Sequence, residues 1–161
     1  MNPTYLWFQN NLDLIFFVYG ITFVILAMSI LLQPKKESEF KLANILWYFV
    51  GYCLIHSPSD FINMWMFSRG TNETISYFAQ ILTYISYIFL FEFGRRMLKL
   101  ANKNVDWRVL PIIYLIVIFI SLLSNNFWVT LDILIGYFIR APAGIMAGVG
   151  FFLYSILKKK S

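Results

Sequence analysis

The residues best suited to chemistry lie close together in an otherwise apolar stretch, GYCLIHSPSDFINMW, residues 51 to 65. It contains His56, the only histidine of the protein, and Asp60 about one helical turn later. On an undistorted helix these two positions share a face, so the imidazole and the carboxylate could meet. Because an imidazole ordinarily titrates with a pKa of about 6.5, His56 is a candidate proton switch.

Pro58 lies between these two residues and is expected to kink the helix. Proline has no N–H to donate to the carbonyl of Leu54, and its ring clashes with that carbonyl. We expect Ser57, Ser59 or a water molecule to satisfy the oxygen that is left.

Two interpretations of this stretch are open. Polar groups at membrane depth are costly and usually face a bundle interior or a wet cavity. The first interpretation is therefore a small, outward-opening pocket that senses a ligand or a proton. Its lining would comprise His56, Ser57, Asp60, Trp65 and Tyr77. The second interpretation is a helix end at Pro58, with Asp60 already in water.

The composition predicts a membrane protein. Of the 161 residues, 60% are hydrophobic and only 13% are charged, whereas a soluble domain has about 25% charged residues. No hydrophilic stretch is long enough for a soluble domain, so residues 1–161 are predicted to form one transmembrane domain. The net charge of +5 comes from basic residues that flank apolar runs, which is typical of topology signals and not of nucleic-acid binding.

Apolar runs predict an all-α bundle of five transmembrane helices, at about residues 14–32, 42–66, 75–93, 109–123 and 142–157. The final apolar stretch, 127–157, would be about 46 Å long as one helix, which exceeds an ordinary span. Since Asp132, Arg140 and Pro142 interrupt it, we predict a short interfacial helix at 127–139 and a kink at Pro142. Two full spans with a turn at residues 140–142 are the alternative.

The basic residues predict an orientation. Of the 13 lysines and arginines, 11 fall in three alternate segments, which follow the first, third and fifth spans. By the positive-inside rule the N-terminus is outside and the C-terminus is cytoplasmic, in a multi-pass protein of the plasma (inner) membrane. The three segments contain Lys35, Lys36 and Lys41; Arg95, Arg96, Lys99, Lys103 and Arg108; and Lys158, Lys159 and Lys160.

Three charged residues at the end of the third span have helical spacing. Glu92 precedes Arg95 by three residues and Arg96 by four, so we expect ion pairs there. On the predicted outer side, Asp132 and Arg140 are eight residues apart and are further candidates for ligand or proton sensing. They are expected to pair with each other or with Asp60.

Small residues form a possible contact face on the fifth span. Gly144 and Gly148 have the spacing that allows two helices to approach closely. The pattern fits packing within the bundle and packing between two copies in a homodimer equally well.

Several classes of activity are excluded by the residues themselves. The single cysteine permits no disulfide within the chain, and one histidine cannot form a conventional His/Cys metal site. No nucleophile–base–orienter set, glycine-rich phosphate loop or HExxH motif is present, so the chain is not expected to be an enzyme. A haem held by His56 and a methionine is the one cofactor alternative that stays open.

Three blocks of sequence resemble a known kind of protein. They are LANILWYFVGYCLIHSPSDFINMW, YIFLFEFGRRML and GYFIRAPAGIMAGVGFFLY, within residues 12 to 157. They are similar to the N-terminal membrane region of many prokaryotic sensor proteins, in which PAS, histidine-kinase or diguanylate-cyclase domains follow. The chain departs from that pattern at Ser57, Asp60 and Phe61, which replace a glycine, a glutamate and a tryptophan.

This resemblance implies a sensory input domain of a signal-transduction protein, such as a two-component system. It would detect an unknown small ligand, a proton or a membrane property, and would work as a homodimer. The signal would pass through the last helix to a cytoplasmic output domain. Because Ser161 falls where a signalling helix would follow, we expect the chain to be a truncated input domain.

The alternative is a stand-alone binder or carrier of apolar small molecules. Five spans in about 160 residues and many aromatic side chains resemble the translocator-protein family. The repeated proline and tryptophan pairs of that family are missing here.

Overall fold

The structure is a computed structural model that describes residues 3–33, 40–101 and 103–158. Regular structure in these residues is entirely helical, which confirms the predicted all-α class. Lys35 and Lys36, and also Lys159 and Lys160, lie outside the described residues. The helices are α1 (Pro3–Asn10), α2 (Leu12–Leu31), α3 (Phe40–Arg69), α4 (Glu73–Leu100), α5 (Val109–Leu122), α6 (Phe127–Ile135), a π-helical segment (Gly136–Arg140) and α7 (Ala141–Lys158).

Among the described residues, three helices are long and apolar enough to cross a membrane, which indicates a membrane protein. They are Leu12–Leu31, Glu73–Leu100 and Phe127–Leu157. Helix α3 has 30 residues, but polar residues around His56 lower its apolar character. Helix α5 is strongly apolar, but its 14 residues span about 21 Å against a hydrocarbon core of about 30 Å.

The chain forms two compact units. Unit 1 contains α1, α2, the part of α3 from Val50 onward and the part of α4 up to Ser86. Its helices pack through small and apolar side chains, and Phe16 of α2 stacks on Phe67 of α3 with 5.5 Å between ring centroids. Ala27 and Cys53 are fully buried.

Unit 2 contains the rest of the described chain, and in it α4 and α7 approach each other closely. A Cβ added to Gly94 would lie 2.9 Å from the backbone nitrogen of Ala147, and one added to Gly150 would lie 2.6 Å from Cβ of Met97. Phe93 is buried beside them, with its ring 5.4 Å from that of Phe151. The two helices therefore approach so closely that only glycine fits at positions 94 and 150.

Gly144 and Gly148, whose spacing predicts a contact face, have more open surroundings than Gly94 and Gly150. A Cβ added to Gly144 or Gly148 would meet no described atom within 4 Å. The close contact on α7 is therefore made by Gly150, and the face of Gly144 and Gly148 is open. Packing of that face between two copies stays a prediction.

The sequence predicts that the final apolar stretch is divided into two segments near Arg140, but the structure has no break in the helix there. The helix is continuous from Phe127 through α7, and the segment Gly136–Arg140 is π-helical. A π turn has i→i+5 hydrogen bonds and occurs mostly as a single turn inside an α-helix. Pro142, which has no N–H to donate, follows directly in the first turn of α7. The helix therefore accommodates this proline without ending.

The turn between α3 and α4 is defined by two residues. Gly70 has a φ of +108°, which disfavours any residue with a Cβ. The side-chain oxygen of Asn72 accepts hydrogen bonds from the N–H groups of Thr74 (3.0 Å) and Ile75 (3.3 Å). Asn72 thereby caps the N-terminus of α4.

Candidate functional site

The stretch around His56 lies inside a continuous helix. Helix α3 continues for eleven residues past Pro58, to Arg69, so the alternative of a helix end at Pro58 is wrong. Asp60 is only 5% exposed and is not in water. The polar side chains of this stretch are therefore presented to neighbouring helices within unit 1. We call His56, Ser57, Ser59, Asp60, Thr83 and Ser86 the polar layer.

His56 makes its hydrogen bond to helix α4. Its Nδ1 is 2.9 Å from the hydroxyl oxygen of Ser86. That hydroxyl donates its one proton to the carbonyl oxygen of Thr83, at 2.7 Å. Because the proton of Ser86 is used there, its oxygen accepts and Nδ1 of His56 donates. The geometry thus fixes the tautomer of the neutral imidazole, and protonation would add a hydrogen at Nε2.

Aromatic rings surround the imidazole on two sides. Tyr52, one turn earlier on α3, stacks on it with 5.2 Å between ring centroids. Phe23 of α2 meets it edge to face at 5.0 Å. His56 is therefore held in one orientation by a hydrogen bond to α4 and by aromatic contacts with α2 and α3.

Ser57 connects α3 to helix α2. Its hydroxyl, which is buried, donates a 2.9 Å hydrogen bond to the carbonyl oxygen of Gly20. The ring of Phe61 occupies the place where a Cβ of residue 20 would be, since that Cβ would lie 2.9 Å from the ring. Glycine thus allows α3 to approach the α2 backbone closely enough for the bond.

Ser59 connects α3 to α4 in the same manner. Its hydroxyl oxygen is 2.6 Å from that of Thr83, which in turn donates to the carbonyl of Ala79 at 3.0 Å. Ser59 is therefore the donor to Thr83. Since Ser57 and Ser59 both donate to other helices, the expectation that they satisfy the Leu54 carbonyl is wrong.

Asp60 differs from its neighbours in the layer. Its carboxyl oxygen Oδ2 is buried and has no hydrogen-bond partner among the described residues, and the same holds for the amide oxygen Oε1 of Gln80 on α4. The pairs His56–Ser86 and Ser59–Thr83 fix an antiparallel register in which residues 60 and 80 both adjoin the Ser59–Thr83 bond. One buried oxygen acceptor without a described donor thus lies on α3 and another on α4.

A buried carboxyl oxygen without a described donor has a restricted set of chemical options. A charged oxygen without a partner is very costly away from water, so Oδ2 of Asp60 is expected to carry a proton or to accept a hydrogen bond from water or a ligand. No group of three or more His, Cys, Asp or Glu side chains that could hold a metal ion occurs in the described part of the chain. A proton, or a small ligand with N–H or O–H groups, fits this site.

The remaining predicted site residues do not belong to the polar layer. Trp65 follows on α3 with 46% of its surface exposed. Asp132 and Arg140 belong to unit 2 and are both exposed. A Cβ on Gly136 would lie 3.3 Å from Nη2 of Arg140, so the guanidinium folds back over residue 136. Its pairing with Asp132, four residues before that glycine, stays a prediction.

The residues that the sequence interpretation missed are the partners on other helices. Gln80, Thr83 and Ser86 follow each other at intervals of three along α4, so they form a polar stripe on an apolar helix. The interval of three between these polar residues is the feature of the sequence from which their shared face could have been predicted. Nothing in the local sequence distinguishes Gly20, whose role depends on the approach of α3.

Comparison with protein-family models, curated proteins and solved structures gives no match for this chain. The role of the polar layer is therefore inferred from its own chemistry.

Proposed function

We propose that the chain is a membrane-embedded sensory input domain of a prokaryotic signal-transduction protein. In this proposal five helices cross the plasma membrane, α3 and α5 included, with the N-terminus outside and the C-terminus in the cytoplasm. Residues 127–139 form the outer part of the continuous helix that ends with α7. The sensed event is the gain or loss of a proton, or the binding of a small hydrogen-bond donor, at the polar layer.

The observation that carries this proposal is the buried oxygen of Asp60 that lacks a donor. Buried polar side chains of native proteins are nearly always hydrogen-bonded, and exceptions call for an explanation. Here the exception lies beside His56, and histidine is the side chain that ordinarily serves as a proton switch. The two groups therefore provide a site that binds a proton or a donor group more strongly in one arrangement of the helices than in another.

The polar layer also supplies a route from binding to movement. Hydrogen bonds at Ser57, Ser59 and His56 join α3 to α2 and α4 within unit 1. A charge at His56, or a new donor at Asp60, alters which of these bonds is favourable. Helix shifts of about 1–2 Å are the usual response of such switches. In the proposal the shift is passed to α7 and leaves through its C-terminal end, in a homodimer.

The resemblance of three sequence blocks to prokaryotic sensor regions supports the same class. The block around His56 retains a histidine and, at residue 60, a carboxylate at the expected places. At residue 57 the chain has a serine where the sensor pattern has a glycine. The serine supplies the hydroxyl that donates to the carbonyl oxygen of Gly20, and a glycine would lack it.

The test joins a diguanylate cyclase to the chain after Ser161 and measures its product in membranes between about pH 5.5 and 8. We expect the output to change with pH, and we expect His56→Ala and Asp60→Asn to remove that change while expression stays normal. Ser29→Ala is the matched control, because its hydroxyl is exposed and bonds only within α2. If both variants respond to pH as the parent chain does, the polar layer is not the sensor.

A further inference from the structure

Unit 2 contains a groove that shares no residue with the polar layer. It has a volume of about 820 Å³ and is formed mainly by α4 and α5, within the range of about 300–1,000 Å³ that is usual for ligand sites. Most of its wall is apolar. The aliphatic side chains of that wall are Ile88, Leu110, Leu115 and Ile118.

One end of the groove is charged. Glu92 accepts two hydrogen bonds from Arg95, from Nε and Nη2 at 2.7 Å each, and one from Nε of Arg96 at 2.5 Å. The guanidinium of Arg96 also lies 4.2 Å from the ring centroid of Tyr48, which lines the groove. Asp106 adds a second carboxylate, whose charge also acts on Arg95. Counted together with Arg108, this end has three arginines against two carboxylates and therefore one net positive charge.

The arginines keep donors that Glu92 does not use. Both terminal amino groups of Arg96, and Nη1 of Arg95, have no hydrogen-bond acceptor among the described residues. An oxyanion with several acceptor oxygens, such as a phosphate, matches such donors in charge and geometry. The charged end thus combines an internal ion pair with donors that are available to a ligand.

Further features place this end at a membrane–water interface. Trp107 lines the groove and is largely exposed, as is typical of tryptophans at the headgroup level. The guanidinium of Arg108 lies 6.0 Å from its ring, and Lys99 and Lys103 are exposed nearby in the chain. Basic residues beside a transmembrane helix attract anionic lipids.

The length of the groove fits one half of a bilayer. Its lining extends from Arg95 back to Ile88 on α4 and from Leu110 forward to Ile118 on α5. The helix rises by about 12 Å from Leu110 to Ile118, and half of the hydrocarbon core is about 15 Å thick. An acyl chain that starts beside the arginines would therefore remain in contact with apolar side chains along most of one leaflet.

We propose that this groove binds an anionic phospholipid of the surrounding bilayer. One acyl chain lies along α4 and α5, and the phosphate is held by Arg95 and Arg96 with help from Arg108. This site is separate from the proposed sensing at His56, so either proposal can fail while the other stands. A zwitterionic lipid lacks the net negative charge that the arginine end favours.

The test uses the intact chain, equilibrated with equal amounts of phosphatidylglycerol and phosphatidylcholine and examined by native mass spectrometry. We expect retained phosphatidylglycerol to exceed phosphatidylcholine by about fivefold, the effect of about one basic residue near an anionic headgroup. Arg96→Gln combined with Arg108→Gln should bring the ratio close to one, because the acyl groove is left unchanged.

The apolar wall has its own matched pair of variants. Leu115 lines the groove and is 69% exposed, whereas Leu122 lies further along α5, outside the groove, and is 67% exposed. Leu115→Trp should reduce lipid retention several-fold, and Leu122→Trp should leave it unchanged. Equal retention of the two lipids by the parent chain would overturn the headgroup selection. Equal lipid retention by the two tryptophan variants would show that the groove is not the lipid-binding site.

Discussion

The hydroxyl of Ser57 donates a hydrogen bond of 2.9 Å to the carbonyl oxygen of Gly20, 37 residues earlier in the chain. This bond joins α2 to α3 at the one described glycine of α2, which is buried. The serine that makes this bond lies directly before Pro58 in the sequence. The polar layer is thus anchored to α2 by a contact that requires a small residue on one helix and a hydroxyl on the other.

Removal of this hydroxyl should weaken the packing of unit 1. Ser57→Ala is expected to cost about 0.5–1.5 kcal/mol, because one buried hydrogen bond is lost and the Gly20 carbonyl keeps its helical partner. The measurement is the free energy of unfolding in mixed micelles. Thr22→Ala serves as the control, since the Thr22 hydroxyl is exposed and bonds to Val18 of its own helix. An equal loss in both variants would show that the contact between helices contributes nothing specific.

The close contact of α4 with α7 predicts a difference between glycines. Gly94→Ala and Gly150→Ala should each destabilise the chain by about 1–3 kcal/mol, because the added methyl would overlap the facing helix. Gly144→Ala and Gly148→Ala are the matched controls, since a Cβ there meets no described atom within 4 Å. They should be neutral or stabilising by up to about 1 kcal/mol through higher helix propensity. Thermal unfolding in detergent distinguishes the two pairs, and similar melting temperatures for all four would contradict the contact.

The open face of α7 predicts a separate effect on association. If two copies pack through Gly144 and Gly148, leucine at either position should weaken the homodimer while the stability of the monomer stays the same. Chemical cross-linking in vesicles, together with the melting temperature, measures the two properties separately. Unchanged cross-linking in both variants would place this face against lipid.

The neutral tautomer of His56, in which Nδ1 is the donor, predicts how the substitution His56→Asn should behave. His56→Asn retains an N–H donor near the position of Nδ1, so the bond to Ser86 can persist, but the asparagine amide does not titrate. We expect the fused cyclase to keep a fixed output between about pH 5.5 and 8, with normal folding. Ser86→Ala provides the comparison, because it removes the acceptor and leaves the titrating ring. A normal pH response in His56→Asn would transfer the sensing role to Asp60 or to another site.

The proposed topology predicts the location of reporter fusions. Fusions after Lys36, Lys103 and Ser161 should report the cytoplasm, and a fusion after Thr71 should report the outside, because basic residues favour the cytoplasmic side. Paired alkaline phosphatase and fluorescent-protein reporters give opposite signals at each position. A cytoplasmic signal at Thr71 would rule out the five-span arrangement.

Sequence alone determined the features that depend on neighbours in the chain. The helical class follows from long apolar runs whose backbone groups must be satisfied within each segment. The ion pairs of Glu92 with Arg95 and Arg96 were predicted from spacing and are confirmed at 2.7 Å and 2.5 Å. Both results are local, because helix geometry fixes which residues three or four apart can meet.

Tertiary structure decided the features that depend on how helices are rotated and aligned against each other. The pairing of His56 with Ser86, 30 residues apart, requires the antiparallel register of α3 and α4. Gly144 and Gly148 have the spacing of a contact face, but the rotation of α7 brings Gly150 against α4 instead. The sequence shows that Asp60 is a carboxylate in an apolar helix. That its Oδ2 is buried without a donor follows from the packing of three helices, because burial and hydrogen-bond partners are properties of the assembled unit.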